Sequence, residues 1–393
     1  MTSPRLDLFV FADALGWQHV QRRTFLADIL PQRSRCDTLL GYTPAPVIRA
    51  SSPAPCRESH GHFSFFVFDP AHSPFAATRW LGWLPEIFAG HHRVRNRVSR
   101  WWQRHLGYTG YCQLYSVPFK RLPWLDYTEE HDLYEPGGII GGQEAIFAHW
   151  QRSGKPWSRS DWRQNDVTNV NRLLGEIREG RVALSYLFTS QLDATMHAHG
   201  TTGPAVDAAF ERFGHWMRKI ESTARAHYDE VRIHLVSDHG MADTTSNSRM
   251  LLDFESLGLR YGHDDAAVWD STMVRFWFPG SSIIRPRVEA WLAARAEGHI
   301  LSDVELKASG CLFVNQRYGE LWYLLNEGTI FAPSFMNQRH VPGMHGFDPQ
   351  SAASPACWLT NHNHYAAPPG SSKSTGSCAR PPTLDPSATH IQA

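Results

Sequence analysis

The stretch VRIHLVSDHGMAD, residues 231–243, joins a strand-like run to a cluster of polar side chains. Residues 231–236 alternate and are rich in β-branched side chains, which predicts a buried strand. Gly240 then interrupts the pattern, so Asp238 and His239 are placed where a strand ends and a loop begins. In an open α/β sheet, ligands bind at the carboxyl ends of the strands. The stretch alone is equally typical of a turn in which Asp238 caps the next helix and His239 is exposed.

Comparable runs occur along much of the chain and alternate with helical patterns. Strands are predicted at 6–12, 63–68, 182–188 and 273–278, and helices at 167–179 and 205–228. Gly180 follows the first of these helices, as a C-cap glycine does. The alternation predicts an α/β fold with a central, mostly parallel sheet sandwiched between helices.

Composition divides the chain into one domain, which contains an insertion, and a tail. Residues 1–365 are predicted to form one α/β domain. Within it, residues 79–162 are rich in Trp, Arg and His without a clear strand pattern, and we interpret them as an inserted, aromatic-rich cap. Residues 366–393 are rich in Pro, Ser, Gly and Thr, which predicts a disordered tail.

Charge and cysteine usage limit the partners and the compartment. The 38 basic and 38 acidic residues balance, which argues against a broad electrostatic footprint for nucleic acid or for an anionic membrane. The segment 93–104 alternates Arg with Trp, a pattern more typical of a packed helix with snorkelling arginines than of a nucleic-acid site. No apolar run approaches the ~20 residues of a membrane helix. The six cysteines lack CxxC spacing and indicate reduced thiols, so a cytoplasmic location is predicted.

Several aspartates and histidines share one context: each follows a strand or lies in a glycine-flanked loop. They are Asp13, Asp193, His197, Asp238, His239 and His345. Imidazole and carboxylate are ligands of Zn²⁺ and also of Mn²⁺. Six ligands exceed one tetrahedral site but suffice for two neighbouring sites with open positions. Such a pair of metals clamps the attacking and leaving oxygens of a displacement at phosphorus.

The order of these residues, with Asp238-His239-Gly240 and His345-Gly346 in its second half, resembles the alkaline phosphatase superfamily. It is most similar to the nucleotide pyrophosphatase/phosphodiesterase type, over roughly residues 5–75 and 165–360. The resemblance implies one metal held by Asp193, His197 and His345. It implies a second metal held by Asp13, Asp238 and His239, with a Ser or Thr nucleophile between the two.

The resemblance also locates a nucleophile. The family places a Ser or Thr before a Pro-Glu-x-His-Gly turn, which residues 57–61, Arg-Glu-Ser-His-Gly, match here. Counting back reaches Thr43 or Pro44, and only Thr43 has a hydroxyl, so it is predicted to be catalytic and a metal ligand. The small-residue helix expected next is replaced by prolines, which disfavour a helix. Ser51 and Ser52 remain alternative nucleophiles.

The implied activity is a metal-dependent phosphoesterase that acts on a small phosphate ester, a phosphodiester or a nucleotide pyrophosphate. Cap aromatics would stack on a base or another flat group of the substrate. A sulfatase is not indicated, because neither Cys36 nor Cys56 lies in a Cys-x-Pro/Ala-x-Arg motif. Two alternatives stay open: a catalytically degenerate metal-binding member of the family, and a binding module that uses the Trp-rich insertion.

Overall fold

The computed structural model describes residues 5–42, 60–83 and 92–362. Its strands are β1 Arg5–Ala12, β2 Gln32–Cys36, β3 Phe66–Phe68, β4 Leu125–Tyr127, β5 Trp157–Arg159, β6 Leu184–Thr189, β7 Glu230–Val236, β8 Ala242–Asp243, β9 Ser246–Ser248, β10 Ala266–Trp269, β11 Met273–Trp277, β12 Gly298–Ile300, β13 Leu321–Leu325, β14 Thr329–Phe331, β15 Gly343–Met344 and β16 Ala356–Thr360. Its α-helices are α1 Trp17–Arg23, α2 His92–Leu106, α3 Ile146–Arg152, α4 Asp166–Arg178, α5 Gln191–His199, α6 Pro204–Arg225, α7 Met250–Glu255, α8 Ile284–Ala293 and α9 Asp303–Ala308, and its 3₁₀ helices are Ala76–Trp83 and Leu122–Trp124.

A six-stranded sheet in the order β2-β16-β7-β1-β6-β5 forms the centre of the fold. Strands β5, β6, β1 and β7 are parallel, and β16 is antiparallel to both of its neighbours. The α/β fold with a mostly parallel central sheet is therefore confirmed. Asn165 caps α4 by accepting a hydrogen bond from the Thr168 amide, and Gly180 follows that helix with φ +62°, as its sequence position predicts.

Both faces of this sheet are covered. Alternate residues of β1, from Leu6 to Ala12, pack with α4 and α6 in one apolar cluster. The intervening Phe9 and Phe11 point to the other face and pack with Trp150 of α3. Helices on both faces explain why residues 8–12 of β1 are all apolar instead of alternating with polar residues.

Two of the predicted strands lie outside the central sheet. Residues 273–277 form β11 of a four-stranded antiparallel sheet, β10-β11-β13-β12, and residues 66–68 pair with β4 in a separate two-stranded antiparallel sheet. Both belong to a second apolar cluster that is rich in aromatic side chains. Apolar alternation shows that a strand is buried but does not identify the sheet it joins, so the sequence could not separate the two.

The segment 79–162 is mixed in structure. Helix α2 and β4 lie in its first part, whereas α3 packs on the central sheet and β5 extends that sheet beside β6. Its description as one inserted cap stays a prediction, and the tail at 366–393 lies outside the described residues. Within the described ranges, no helix has the length and apolar character needed to span a bilayer.

Candidate metal centre

The parallel strands end at the same edge of the sheet and place three carboxylates there. Ala12 of β1 is level with Thr189 of β6, and Phe11 is level with Val236 of β7. The chain continues from these positions into Asp13, Asp193 and Asp238. Their convergence follows from parallel pairing in register, which carries the chain ends of adjacent strands to one side.

The first triplet consists of Asp13, Asp238 and His239, whose candidate ligand atoms all lie within 4.8 Å of one another. His239 Nε2 is 3.2 Å from Asp238 Oδ2 and 3.6 Å from Asp13 Oδ1. His239 Nδ1 donates to the Gly240 carbonyl at 2.9 Å, which leaves the Nε2 lone pair facing the carboxylates. The Thr38 hydroxyl donates to the Asp238 carbonyl at 2.7 Å and fixes the backbone of this loop.

The second triplet consists of Asp193, His197 and His345, again with candidate ligand atoms within 4.8 Å of one another. Asp193 and His197 lie one turn apart on α5, and His197 Nε2 is 3.3 Å from Asp193 Oδ1. His345 Nε2 approaches the same oxygen at 3.9 Å. His197 Nδ1 donates to the Gly343 carbonyl at 2.8 Å, and Asp166 accepts from the Gln191 amide at 3.0 Å, which anchors the start of α5.

The two triplets are in direct contact through one histidine of each. The imidazole of His239 from the first stacks on that of His345 from the second, with ring centroids 3.8 Å apart and an angle of 13° between the planes. The short pair β8–β15 brings the two segments together, because Met344, which precedes His345, pairs with Ala242, three residues after His239. The six predicted ligands therefore form two adjoining groups in the grouping that the sequence resemblance implies.

Glycines allow the loops of the site to approach this closely. A Cβ on Gly240 would lie 2.1 Å from the Ala353 carbonyl oxygen, and a Cβ on Gly16 would lie 2.7 Å from Gly240 Cα. A Cβ on Gly343 would lie 2.3 Å from the Met196 carbonyl oxygen. Side chains at these positions would separate the loops that carry the two triplets.

The site concentrates negative charge in a buried place. Burial, and then the carboxylates of Asp193 and Asp238, raise the pKa of Asp13 well above its usual value. Burial would also raise the pKa of Asp193, but the hydrogen bond from His197 and the positive charge of that imidazole outweigh it and lower that pKa to about 2. Opposed pKa shifts of two neighbouring carboxylates, with a third carboxylate beside them, indicate a site whose charge favours a bound cation.

The donor set fits divalent metals by three observations. Each triplet offers imidazole and carboxylate, the ligands of Zn²⁺. Burial and the neighbouring His239 lower the pKa of His345 far below its usual value, so this imidazole is neutral, as a ligand must be. The buried His345 Nδ1 has no hydrogen-bond partner among the described residues, which is unusual for a group with no role beyond packing.

A cavity of about 490 Å³ opens above the triplets and has all six predicted ligands in its lining. Its walls are mainly aromatic and include Phe65, Tyr111, Tyr115, Tyr134, Trp162 and Tyr186. The Nε1 of Trp162 donates to both oxygens of Asp132 at 3.2 Å, and Arg163 pairs with the same carboxylate at 3.0 Å. These contacts fix the orientation of one aromatic wall.

Thr43, Ser51 and Ser52 lie outside the described residues. Tyr42, which directly precedes Thr43, is within the described residues and lines the cavity. The Tyr42 hydroxyl lies 2.5 Å from Thr272 Oγ1, and that threonine donates to the Gly346 carbonyl at 2.6 Å. Sequence reasoning missed Tyr42 and Thr272, because their contact joins positions 230 residues apart and no local pattern signals it.

The residues from 58 to 348 match the model of the family described as type I phosphodiesterase / nucleotide pyrophosphatase. The chain belongs to this family. The matched range contains five of the six predicted ligands, and Asp13 precedes it. No curated protein was matched by sequence.

Solved structures similar to this phosphodiesterase family member support the fold. Murine ectonucleotide pyrophosphatase/phosphodiesterase 5 aligns with a TM-score of 0.61 at 15% identity, over 91% of this chain and 88% of that one. An inactive variant of the murine protein in complex with AMP aligns with a TM-score of 0.60 at 14% identity, over 91% and 87% of the two chains. The human protein aligns with a TM-score of 0.60 at 12% identity, with the same coverage.

Proposed function

We propose that this family member hydrolyses a phosphodiester or pyrophosphate bond of a nucleotide-like substrate at two divalent metal ions, with Thr43 as nucleophile. The observation that carries the proposal is the pair of adjoining Asp/His triplets at the floor of one aromatic cavity. Family membership supports the same class of reaction.

Asp13, Asp238 and His239 would hold one ion, and Asp193, His197 and His345 the other. Zinc suits these donors best, and Mn²⁺ is the alternative. Bound there, the two ions would supply Lewis acidity that activates a hydroxyl nucleophile and stabilises the leaving oxygen.

The chain's own residues account for the remaining chemistry. The Thr43 oxygen attacks phosphorus, a Thr43 Oγ–P bond forms, and the bond from phosphorus to the leaving oxygen breaks. The Thr43 proton passes to solvent, and the leaving oxygen departs with the bonding electron pair and is protonated by water. Water then attacks the same phosphorus, which releases phosphate or a phosphate monoester and restores the hydroxyl. Tyr42 supports this role because its contacts with Thr272 and Gly346 tie the backbone beside Thr43 to the loop of His345.

The substrate class follows from the cavity. Aromatic walls favour a flat group that stacks, such as a nucleobase, above a phosphorus held at the triplets. The murine structural relative in complex with AMP supports a nucleotide, and the volume of about 490 Å³ lies in the range of small-molecule sites.

The test combines metal analysis with turnover. The protein is loaded with Zn²⁺ or Mn²⁺, its metal content is measured, and hydrolysis of bis-p-nitrophenyl phosphate is compared with that of p-nitrophenyl phosphate. Two bound ions and preferential cleavage of the diester are expected.

Thr43→Ala is expected to keep both ions, since all six protein ligands are intact, and to lose turnover by at least about a hundredfold. Thr43→Ser keeps a hydroxyl and part of the activity. Two bound ions without turnover in the parent would identify a degenerate member of the family. Full activity of Thr43→Ala would transfer the nucleophile role to Ser51 or Ser52.

A further inference from the structure

Helix α2 has one face against the body of the protein and one face in solvent. Arg95, Ser99 and Trp102 are buried, and the Ser99 hydroxyl accepts from the Leu114 amide at 3.0 Å. Gln103 donates to the Gly110 carbonyl at 2.9 Å, which joins the helix to a loop of the cavity wall. The helix is thus a fixed part of the surface beside the site.

The solvent face of α2 carries a stripe of arginines. Arg93, Arg97, Arg100 and Arg104 are all exposed. At about 100° per residue they fall within an arc of about 60° and extend over about 16 Å of helix. Among the described residues, no carboxylate lies within ion-pair distance of Arg97, Arg100 or Arg104, and the sequence of α2 contains no acidic residue.

An apolar edge runs beside this stripe. Trp101 is 56% exposed and Val94 is 36% exposed, and helical geometry places both next to the arginines. The Trp101 ring stacks on His105 with centroids 4.9 Å apart and an interplanar angle of 7°, which presents a flat surface to solvent. Trp101 and Val94 therefore give the arginine stripe an exposed apolar border on one side.

We propose that this face of α2 docks on an anionic lipid bilayer. Arginines beside an exposed tryptophan match the chemistry of that surface: the guanidinium groups meet lipid phosphates and carboxylates, and the indole enters the headgroup boundary. The neutral charge balance of the whole chain does not oppose this, because the stripe is local and Arg97, Arg100 and Arg104 have no carboxylate within ion-pair distance among the described residues. Val94 favours a bilayer over a nucleic acid, since a valine offers no stacking platform to a base.

Vesicle binding tests the proposal without reference to catalysis. The full chain is sedimented with vesicles of pure phosphatidylcholine and with vesicles containing about one-third phosphatidylserine, at low and high salt. Binding is expected only to the anionic vesicles, and it should weaken as salt rises. Each arginine near such a surface contributes about fivefold to partitioning, so R97Q/R100Q/R104Q should lower it roughly a hundredfold. Trp101→Ala should weaken binding at any salt concentration.

The matched control removes the same charge elsewhere. Arg178, Lys219 and Arg249 are exposed on other elements, and R178Q/K219Q/R249Q should bind vesicles nearly as the parent does. Both triple variants should keep the parent's activity on a soluble chromogenic diester, so vesicle binding and catalysis can fail separately. Absence of parent binding, or equal loss in both triple variants, would overturn the proposal. Stripe-dependent capture of a single-stranded oligonucleotide without vesicle binding would overturn it in favour of a nucleic-acid partner.

Discussion

The loops of Gly16 and Gly240 are in such close contact that adding one methyl group at position 240 is predicted to disturb the geometry of the first triplet. Gly240→Ala places a Cβ 2.1 Å from the Ala353 carbonyl oxygen and 3.2 Å from Gly16 Cα. Both atoms belong to the backbone, so no side-chain rotation relieves the overlap and a loop must move. Overpacking of this kind costs about 1–3 kcal/mol of unfolding free energy.

The same substitution at Gly175 is the matched control. Gly175 lies inside α4, and a Cβ there meets nothing within 4 Å. Alanine should therefore stabilise the protein by about 0.5–1 kcal/mol, because it reduces the freedom of the unfolded chain and suits a helix. The same glycine-to-alanine change is therefore expected to lower the free energy of unfolding at position 240 and to raise it at position 175.

Urea unfolding and metal analysis of both variants measure the effect. Gly240→Ala should unfold at lower urea and bind the ion of the first triplet more weakly, since its loop carries Asp238 and His239. Gly175→Ala should unfold at higher urea with unchanged metal content. If Gly240→Ala were as stable as the parent and kept both ions, the close approach of the two loops would not be what positions this triplet.

Three further predictions follow from other contacts. Asp238→Ala and His345→Ala should each lose one ion and all phosphoesterase activity. Both variants should keep the parent's circular dichroism spectrum, because both side chains lie at the sheet's edge, and outright unfolding would show a structural role. Tyr42→Phe should cost about 0.5–1.5 kcal/mol in urea unfolding, since it removes the hydrogen bond to Thr272, and an unchanged midpoint would show that the bond contributes nothing. Burial, and then nearby Arg23, lower the pKa of His19 to about 4, so the unfolded state binds a proton first as pH falls. Stability is then lost between about pH 6.5 and 4, by about 3 kcal/mol, and His19→Leu should flatten this part of an acid-unfolding curve; an unaltered curve would exclude His19 as its source.

The central strands could be predicted because they are buried on both faces. Residues 8–12 of β1 are all apolar, and β7 has buried apolar residues at 231, 233, 235 and 236, so both patterns are visible without knowledge of the strands' partners. The polar residues that follow these strands stand out from the apolar runs, and they mark the edge of the sheet where the two triplets lie. The site's composition was therefore accessible from the sequence, although its role as a metal centre stays a proposal.

The edge of the sheet and the walls of the cavity could not be predicted in this way. Strand β2, with the sequence Gln-Arg-Ser-Arg-Cys, is mostly polar because it lies at an edge, so it gives no apolar signal. The pair β8–β15 has only two residues in each strand, and its position depends on tertiary contacts. Long-range pairs such as Tyr42–Thr272 depend on the complete fold and leave no trace in local sequence.

The triplets also bear on how the chain is held together. Asp13 lies near its start, His239 beyond its middle and His345 close to the end of the described residues, so each triplet closes a loop of more than about 100 residues. An ion bound in either triplet acts as a removable cross-link between distant segments, comparable in effect to a disulfide but governed by metal concentration. Chelation would then reopen both loops at once. The stability of the whole protein, and not only its chemistry, would depend on the supply of metal.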